Sequence, residues 1–216
     1  MNRGMQRFDL HIHTFFSKDS WIDPKLLPRV AELRGLRGFA ITDHNRFGAH
    51  RTIEAGNMLV VPGVEIRTSS GDLIALFIQE PFYSKDPFEI YDAVKSQDGV
   101  LIAAHPFGFP RIQGSVSKKV YEILDGVEVV NARNIFRGQN EKALELAKKL
   151  EKAEVGGSDA HIMREVGRAY TLADASSLEE LRSAIKRKVT RGVGTLSLPL
   201  VHLASFAASI VHAVSR

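Results

Sequence analysis

Phe8-Asp9-Leu10-His11-Ile12-His13-Thr14 is the stretch on which the reading of the fold turns. Side chains at i and i+2 of a strand share a face, so a strand ending here aims the imidazoles of His11 and His13 at one point. The pattern recurs along the chain. Thr42-Asp43-His44-Asn45, Gly63-Val64-Glu65, Ala104-His105-Pro106 and Gly157-Ser158-Asp159-Ala160-His161 are short polar clusters, each directly behind an apolar, β-rich run. Asp159 and His161 repeat the i, i+2 spacing. A barrel presents metal ligands in this way, one strand end at a time.

The bulk composition suits such a protein. The chain has 216 residues, 44% hydrophobic and 25% charged, which is most economically one domain with a sizeable core. It has no cysteine, which excludes a disulfide framework and thiolate metal sites and leaves His, Asp, Glu and Asn as donors. Such donors admit zinc, manganese or iron. A net charge of +4 favours anionic partners but does not demand nucleic acid. The stretch from Met1 to Arg7 lacks the apolar core of a signal peptide, so a cytoplasmic location is expected.

Strand and helix signals alternate. Strands are expected at 7–13, 39–41, 59–61, 72–78, 100–104, 126–131, 155–157 and 169–172. Asp23-Pro24 opens a helix with an acidic N-cap and proline at N1, and Pro87 opens another. Gly138 to Lys152 carries Ala143, Leu144, Leu146, Ala147 and Leu150 at helical spacing. Ser177 caps a helix from Leu178 to Lys188, with Glu180 as the capping-box acid. The alternation predicts a parallel α/β barrel. Taken singly, a histidine behind a strand is ordinarily a surface or hydrogen-bonded residue, and His50, His202 and His212 are read so. His11, His13, His44, His105 and His161, taken together with Glu65 and Asp159, are read as a site.

These motifs, in this order, resemble those of the PHP (polymerase and histidinol phosphatase) family. Asp9-Leu10-His11-Ile12-His13-Thr14, Thr42-Asp43-His44, Ala104-His105-Pro106 and Gly157-Ser158-Asp159-Ala160-His161 match its four motifs, and Glu65 behind Pro62-Gly63-Val64 fits as well. The resemblance spans about residues 8–173. It implies a distorted (β/α)7 barrel with two to three divalent metal ions (zinc, manganese or iron) at the C-terminal strand ends, and metal-dependent phosphoester hydrolysis. It further implies that His11, His13, Glu65 and Asp159 hold one metal. Glu65 would bridge to a second held by His105, and Asp19, His44 and His161 would hold a third. Asp19 sits in Ser17-Lys18-Asp19-Ser20, where many relatives have Ser-Asp-Gly. Some relatives place a histidine near Asn131, so Asn131 is a weak candidate ligand of the second metal.

Around that centre, Asp9 and Asp43 are expected as acceptors for imidazole N–H groups. Arg133 and Arg164, leaving strand ends, are candidate phosphate binders, with a solvated loop arginine as the alternative for each. Phe107 and Phe109 either stack on a base or pack beneath a loop. Leu198 to Val214 is the most apolar segment and is shorter than a membrane span. His202, Ser205, Ser209 and His212 form one polar stripe on it. It is expected as a helix packed on the barrel bottom or at a homo-oligomer interface, since it lacks the basic face of a membrane anchor.

The leading function is therefore a phosphoesterase on a small phosphorylated metabolite or nucleotide. An exonuclease trimming short oligonucleotides and a non-catalytic binding protein on a degraded barrel are the alternatives. Gently purified protein should carry more than one transition-metal ion per chain by elemental analysis. One or none, after metal was supplied during expression, would contradict a multinuclear centre.

Overall fold

The computed structural model describes residues 4–108 and 116–214. The apolar runs become strands β1 (Gln6–Asp9), β2 (Gly38–Ile41), β3 (Leu59–Thr68), β4 (Gly71–Leu76), β5 (Val100–Ala103), β6 (Gly126–Asn131), β7 (Ala153–Gly157), β8 (Ala169–Ala173) and β9 (Arg191–Gly194). Helices α1 (Leu27–Leu33), α2 (Pro87–Ser96), α3 (Arg137–Lys149), α4 (Leu178–Lys186) and α5 (Val201–Val214) lie between and after them. The caps read from sequence form, Ser177 at the start of α4 and Asp23 at a 3-10 turn (Pro24–Leu26) that leads into α1, and Asp86 adds one at α2; each side chain accepts a backbone N–H group.

One nine-stranded sheet runs β7-β6-β5-β4-β3-β2-β1-β8-β9 and curls into a nearly closed, distorted TIM-like barrel. It is not all parallel. The β1–β2, β2–β3, β5–β6 and β6–β7 pairs are parallel, whereas β3–β4, β4–β5, β1–β8 and β8–β9 are antiparallel. The reason is local. β3 does not stop at Val61 but continues past Glu65 to Thr68, and the Ser69-Ser70 turn returns the chain as a hairpin, too short for a crossover. β9 was not anticipated, because Gly192 and Gly194 dilute its strand signal.

Alternation sorts the side chains. Phe39 and Ile41 pack outward on Leu27 and Ala31 of α1, while Ala40 joins Phe8, Leu10, Val61, Ile74, Leu76 and Ile102 inside. Ile90 and Val94 of α2 cover Leu73, Ala75 and Leu101, and Ala143 and Ala147 of α3 cover Val127 and Val129. Leu181, Ala184 and Ile185 of α4 complete the interior cluster. This corrects the expectation for the C-terminal helix. α4 takes the place under the barrel core, whereas α5 lies across the ligand-bearing end. There Trp21 Nε1 donates to Ala204 O at 3.0 Å and Arg133 Nη2 to Ser205 Oγ at 2.7 Å.

Two contacts close the barrel. At the site end, the chain beyond β1 pairs with the chain beyond β7: His13 N donates to Ala160 O (3.0 Å) and Asp159 N to His11 O (2.8 Å). Below it, Thr171 of β8 stands in for a ladder strand. Its hydroxyl accepts from Gly156 N (2.9 Å) and donates to Gly156 O (3.0 Å). Close approach needs glycine here: a Cβ on Gly157 would sit 2.3 Å from His11 Cβ, and one on Gly156 2.4 Å from Tyr170 O. Thr171→Val keeps the shape but strands both Gly156 groups in a buried seam, each costing about 1–3 kcal/mol. Chemical denaturation should show a loss of that order, and unchanged stability would remove Thr171 from the closure.

Candidate metal centre

Closure gathers five histidines with Asp19, Glu65 and Asp159. His11 Nε2 and His13 Nε2 lie 3.0 Å apart. They sit 3.6 and 3.2 Å from Asp159 Oδ1, and 3.7 and 3.4 Å from Glu65 Oε2. Glu65 also faces His105 Nε2 at 2.9 Å and His44 Nδ1 at 2.7 Å. Asp19 Oδ2 is 3.4 Å from His44 Nε2 and 3.3 Å from His161 Nε2. Every expected ligand except Asn131 thus has a nitrogen or oxygen directed into one cluster.

The outer partners fix the ring tautomers. His11 Nδ1 donates to Glu128 Oε1 (2.9 Å) and His161 Nδ1 to the Asp159 carbonyl (2.8 Å), since both partners can only accept. Ser17 Oγ donates to Asp43 (2.7 Å), so it accepts from His13 Nδ1 (3.3 Å). The Nε2 lone pairs of His11 and His13 therefore point at each other, which only a proton or a metal ion between them relieves. Asp19 Oδ1 and His105 Nδ1 are buried without a hydrogen bond. This donor set fits divalent transition ions. Four groups have ligand atoms within 4.8 Å of one another: His13/His44/His161, His11/His105/Asp159, His11/His13/Glu65 and Glu65/Asp72/His105.

The buried carboxylates and imidazoles shift one another's pKa. Burial alone would raise the Glu65 carboxyl, yet His44, His11 and His105 hold it well below the usual range. Asp159 is likewise lowered, burial being outweighed by His11, His13 and His161. Conversely, burial disfavours charge on His11, but Glu128, Asp159 and Glu65 raise its pKa well above the ordinary value. His13 goes the other way, to about 3, through burial and the neighbouring His44 and His161. The backbone is also held in place. His105 has φ 28° and Asp159 φ 54°, left-handed conformations that cost energy unless pinned. Glu128 Oε2 takes the His105 N–H at 2.8 Å, and His11 O takes that of Asp159 at 2.8 Å.

Several expectations need adjustment. Asp9 accepts from Ser158 N (2.9 Å) and Gly167 N (2.8 Å), and Asp43 from Thr14 N, Thr14 Oγ1 and Ser17 Oγ (each 2.7 Å). Neither takes an imidazole proton directly; both lie a layer out, bracing the backbone that carries the rings. The Asn131 amide donates to Glu128 (2.9 Å) and Asp159 (3.3 Å), and its carbonyl accepts from Arg133 N (2.8 Å). Arg133 is buried, paired with Glu165 at 3.2 Å and bonded to α5, while Arg164 is exposed in a neighbouring apolar cleft with Leu198 and Leu200. Phe107 packs against the α3 cluster, and Phe109 lies outside the described residues.

A cavity of about 440 Å³ opens over the cluster. Arg67, Asp72, Arg133, His202, Ser205, Phe206 and Ser209 line it beside Asp19, His44, Glu65, His105, Asp159 and His161. Arg67, Asp72, Glu128, Glu165 and His202 were not read as site residues. Signals for three existed: Arg67 shares the Glu65 face two residues on, and Asp72 and Glu128 are lone acids in otherwise apolar strands. The polar stripe of α5 was visible, but not that it faces this cavity.

An uncharacterized protein of Methanocaldococcus jannaschii is 32% identical over 182 residues, 81% of this chain and 73% of its own length. The family model described as PHP-associated matches residues 137–190, the segment that contains Asp159 and His161. The chain belongs to the PHP family. Solved structures agree on the fold. The crystal structure of a Bacteroides vulgatus two-domain protein, which contains a predicted PHP-like metal-dependent phosphoesterase, superposes with a TM-score of 0.71 at 20% identity. The match covers 94% of this chain and 70% of that one. PsfC of Pseudomonas syringae matches with a TM-score of 0.68 at 16% identity, over 99% and 100% of the two chains. The His/Asp/Glu clusters here support divalent metal binding. No helix of the described residues is long and apolar enough to cross a membrane.

Glu128 supports His11, His105 and Asn131 at once. Glu128→Gln should weaken manganese binding about 10–100-fold, in the range of groups that orient metal ligands. Titration calorimetry on metal-stripped protein checks this, and wild-type affinity would remove Glu128 from the support.

Proposed function

We propose that this protein hydrolyses the phosphate ester of a small metabolite or nucleotide at this centre. The observation that carries the reading is the convergence of the His11 and His13 Nε2 atoms, 3.0 Å apart, among buried carboxylates. In this reading His11, His13, Glu65 and Asp159 hold one divalent ion, Glu65 and His105 share a second, and Asp19, His44 and His161 hold a third. Such ions, when bound, supply the Lewis-acid charge that activates water and neutralises phosphoryl oxygens.

The chain's own groups do the rest. Glu65 presents one oxygen toward His105 and the other toward His13 and His44, which suits a bridging role. Arg67 extends from the same strand face into the cavity and offers a guanidinium to the phosphate. Arg133, tied to Glu165 and α5, serves better as a fixed positive wall than as a mobile clamp. Ser205, Ser209 and His202 give the leaving group polar contacts, and Phe206 an apolar one. A cavity of about 440 Å³ with one wall made by a helix favours a small ester over a threaded oligonucleotide.

A panel of p-nitrophenyl phosphate, bis-p-nitrophenyl phosphate, nucleotides, histidinol phosphate and a labelled oligonucleotide, with manganese or zinc, tests this directly. Hydrolysis of the oligonucleotide in preference to the small esters would favour the exonuclease reading. Glu65→Gln should reduce turnover of the best ester by several orders of magnitude with the fold intact. Near-normal activity in that variant would sink the assignment.

A further inference from the structure

The second ion of the proposed centre is short of donors. Glu65 and His105 face it, but the Asn131 carbonyl is taken by Arg133 N and its amide donates to Glu128 and Asp159. We propose that Asp72 supplies the missing ligand, so that Glu65, Asp72 and His105 hold this ion. The inference rests on the metal-centre reading above.

Three observations support it. The first is position. Asp72 sits on β4 in the same parity as Ile74 and Leu76, which join the interior cluster, while Leu73 and Ala75 face α2. Its carboxylate therefore enters the barrel one layer above the core, at the level of the site, and is only 4% exposed. The second is convergence. Glu65, Asp72 and His105 are all buried, with ligand atoms within 4.8 Å of one another. Two carboxylates this close in an apolar barrel repel unless a cation lies between them.

The third is the weakness of the protein's own compensation. Asp72 pairs with Arg67, at 3.3 Å through Nε to Oδ1, and the Arg67 side chain is 67% exposed. An exposed guanidinium is screened by water and offsets little of a buried charge. A divalent ion ligated by Glu65, Asp72 and His105 satisfies the two carboxylates and leaves Arg67 anchored beside it, facing the cavity.

The test is metal counting, independent of turnover. Chelator-stripped wild type, Asp72→Ala, Asp72→Asn and Arg67→Ala are loaded with manganese, desalted and analysed by mass spectrometry of the metal, with circular dichroism to verify folding. Loss of about one equivalent in Asp72→Ala, with the full count kept by Arg67→Ala, is the expected result. Asp72→Asn covers the case in which the alanine variant fails to fold. Its neutral oxygen should weaken the most loosely held ion by about tenfold or more. A wild-type count and affinity in folded Asp72→Asn would overturn the proposal. So would an equal loss in Arg67→Ala, because Asp72 would then act only through Arg67. Wild type that takes up no manganese would bring down the metal-centre reading itself.

Discussion

Everything at the working end of this protein depends on one backbone contact, the pairing of the chain beyond β1 with the chain beyond β7. It requires Gly157, because any side chain there would collide with His11. Lower down the same two strands are separated, and β8 occupies the space between them, held to β7 by the Thr171 hydroxyl. The barrel is thus closed twice by different means. The upper closure puts His11 and His13 beside Asp159 and His161, residues far apart in the chain.

A cluster of five imidazoles and several carboxylates inside a barrel is electrostatically costly unless each group has an outer partner. Glu128 is central to that outer layer: it takes the His11 ring proton, the His105 backbone N–H and the Asn131 amide. Ser17 and Asp43 do the same for His13, and Glu165 accepts from His161 N while pairing with Arg133. These partners leave the Nε2 atoms of His11, His13 and His161 directed into the cluster. The left-handed backbone at His105 and Asp159 is held by the same bonds. Strain and preorganisation share one set of contacts.

The C-terminal helix is inverted relative to ordinary expectation. Its polar stripe of His202, Ser205 and Ser209 faces the cavity together with Phe206, while Leu203 and Ile210 are exposed. A polar inward face is what a solvated cavity lined by charged side chains requires. Arg133 is the physical link, reaching Val201 O and Ser205 Oγ from the end of β6. The cavity over the histidine cluster is therefore shaped partly by a segment that carries none of the family's motifs.

Local sequence determined the strand-end cluster. His11, His13, His44, Glu65, His105, Asp159 and His161 each sit in a polar cluster behind an apolar run, and the two-residue strand period already implies shared faces. Helix starts were equally legible, because proline and capping acids act within a few residues. The hairpin between β3 and β4, the strand β9 and the roles of Arg67, Asp72, Glu128 and Glu165 were decided by tertiary structure. A lone acid in an apolar strand is ambiguous until one knows which layer it enters and what lies opposite. The same holds for α5: periodicity defined its polar stripe, but which surface the stripe meets depends on where the barrel has already placed Arg133 and the buried carboxylates. Spacing along a chain encodes faces, and only the closure of the barrel decides which faces meet.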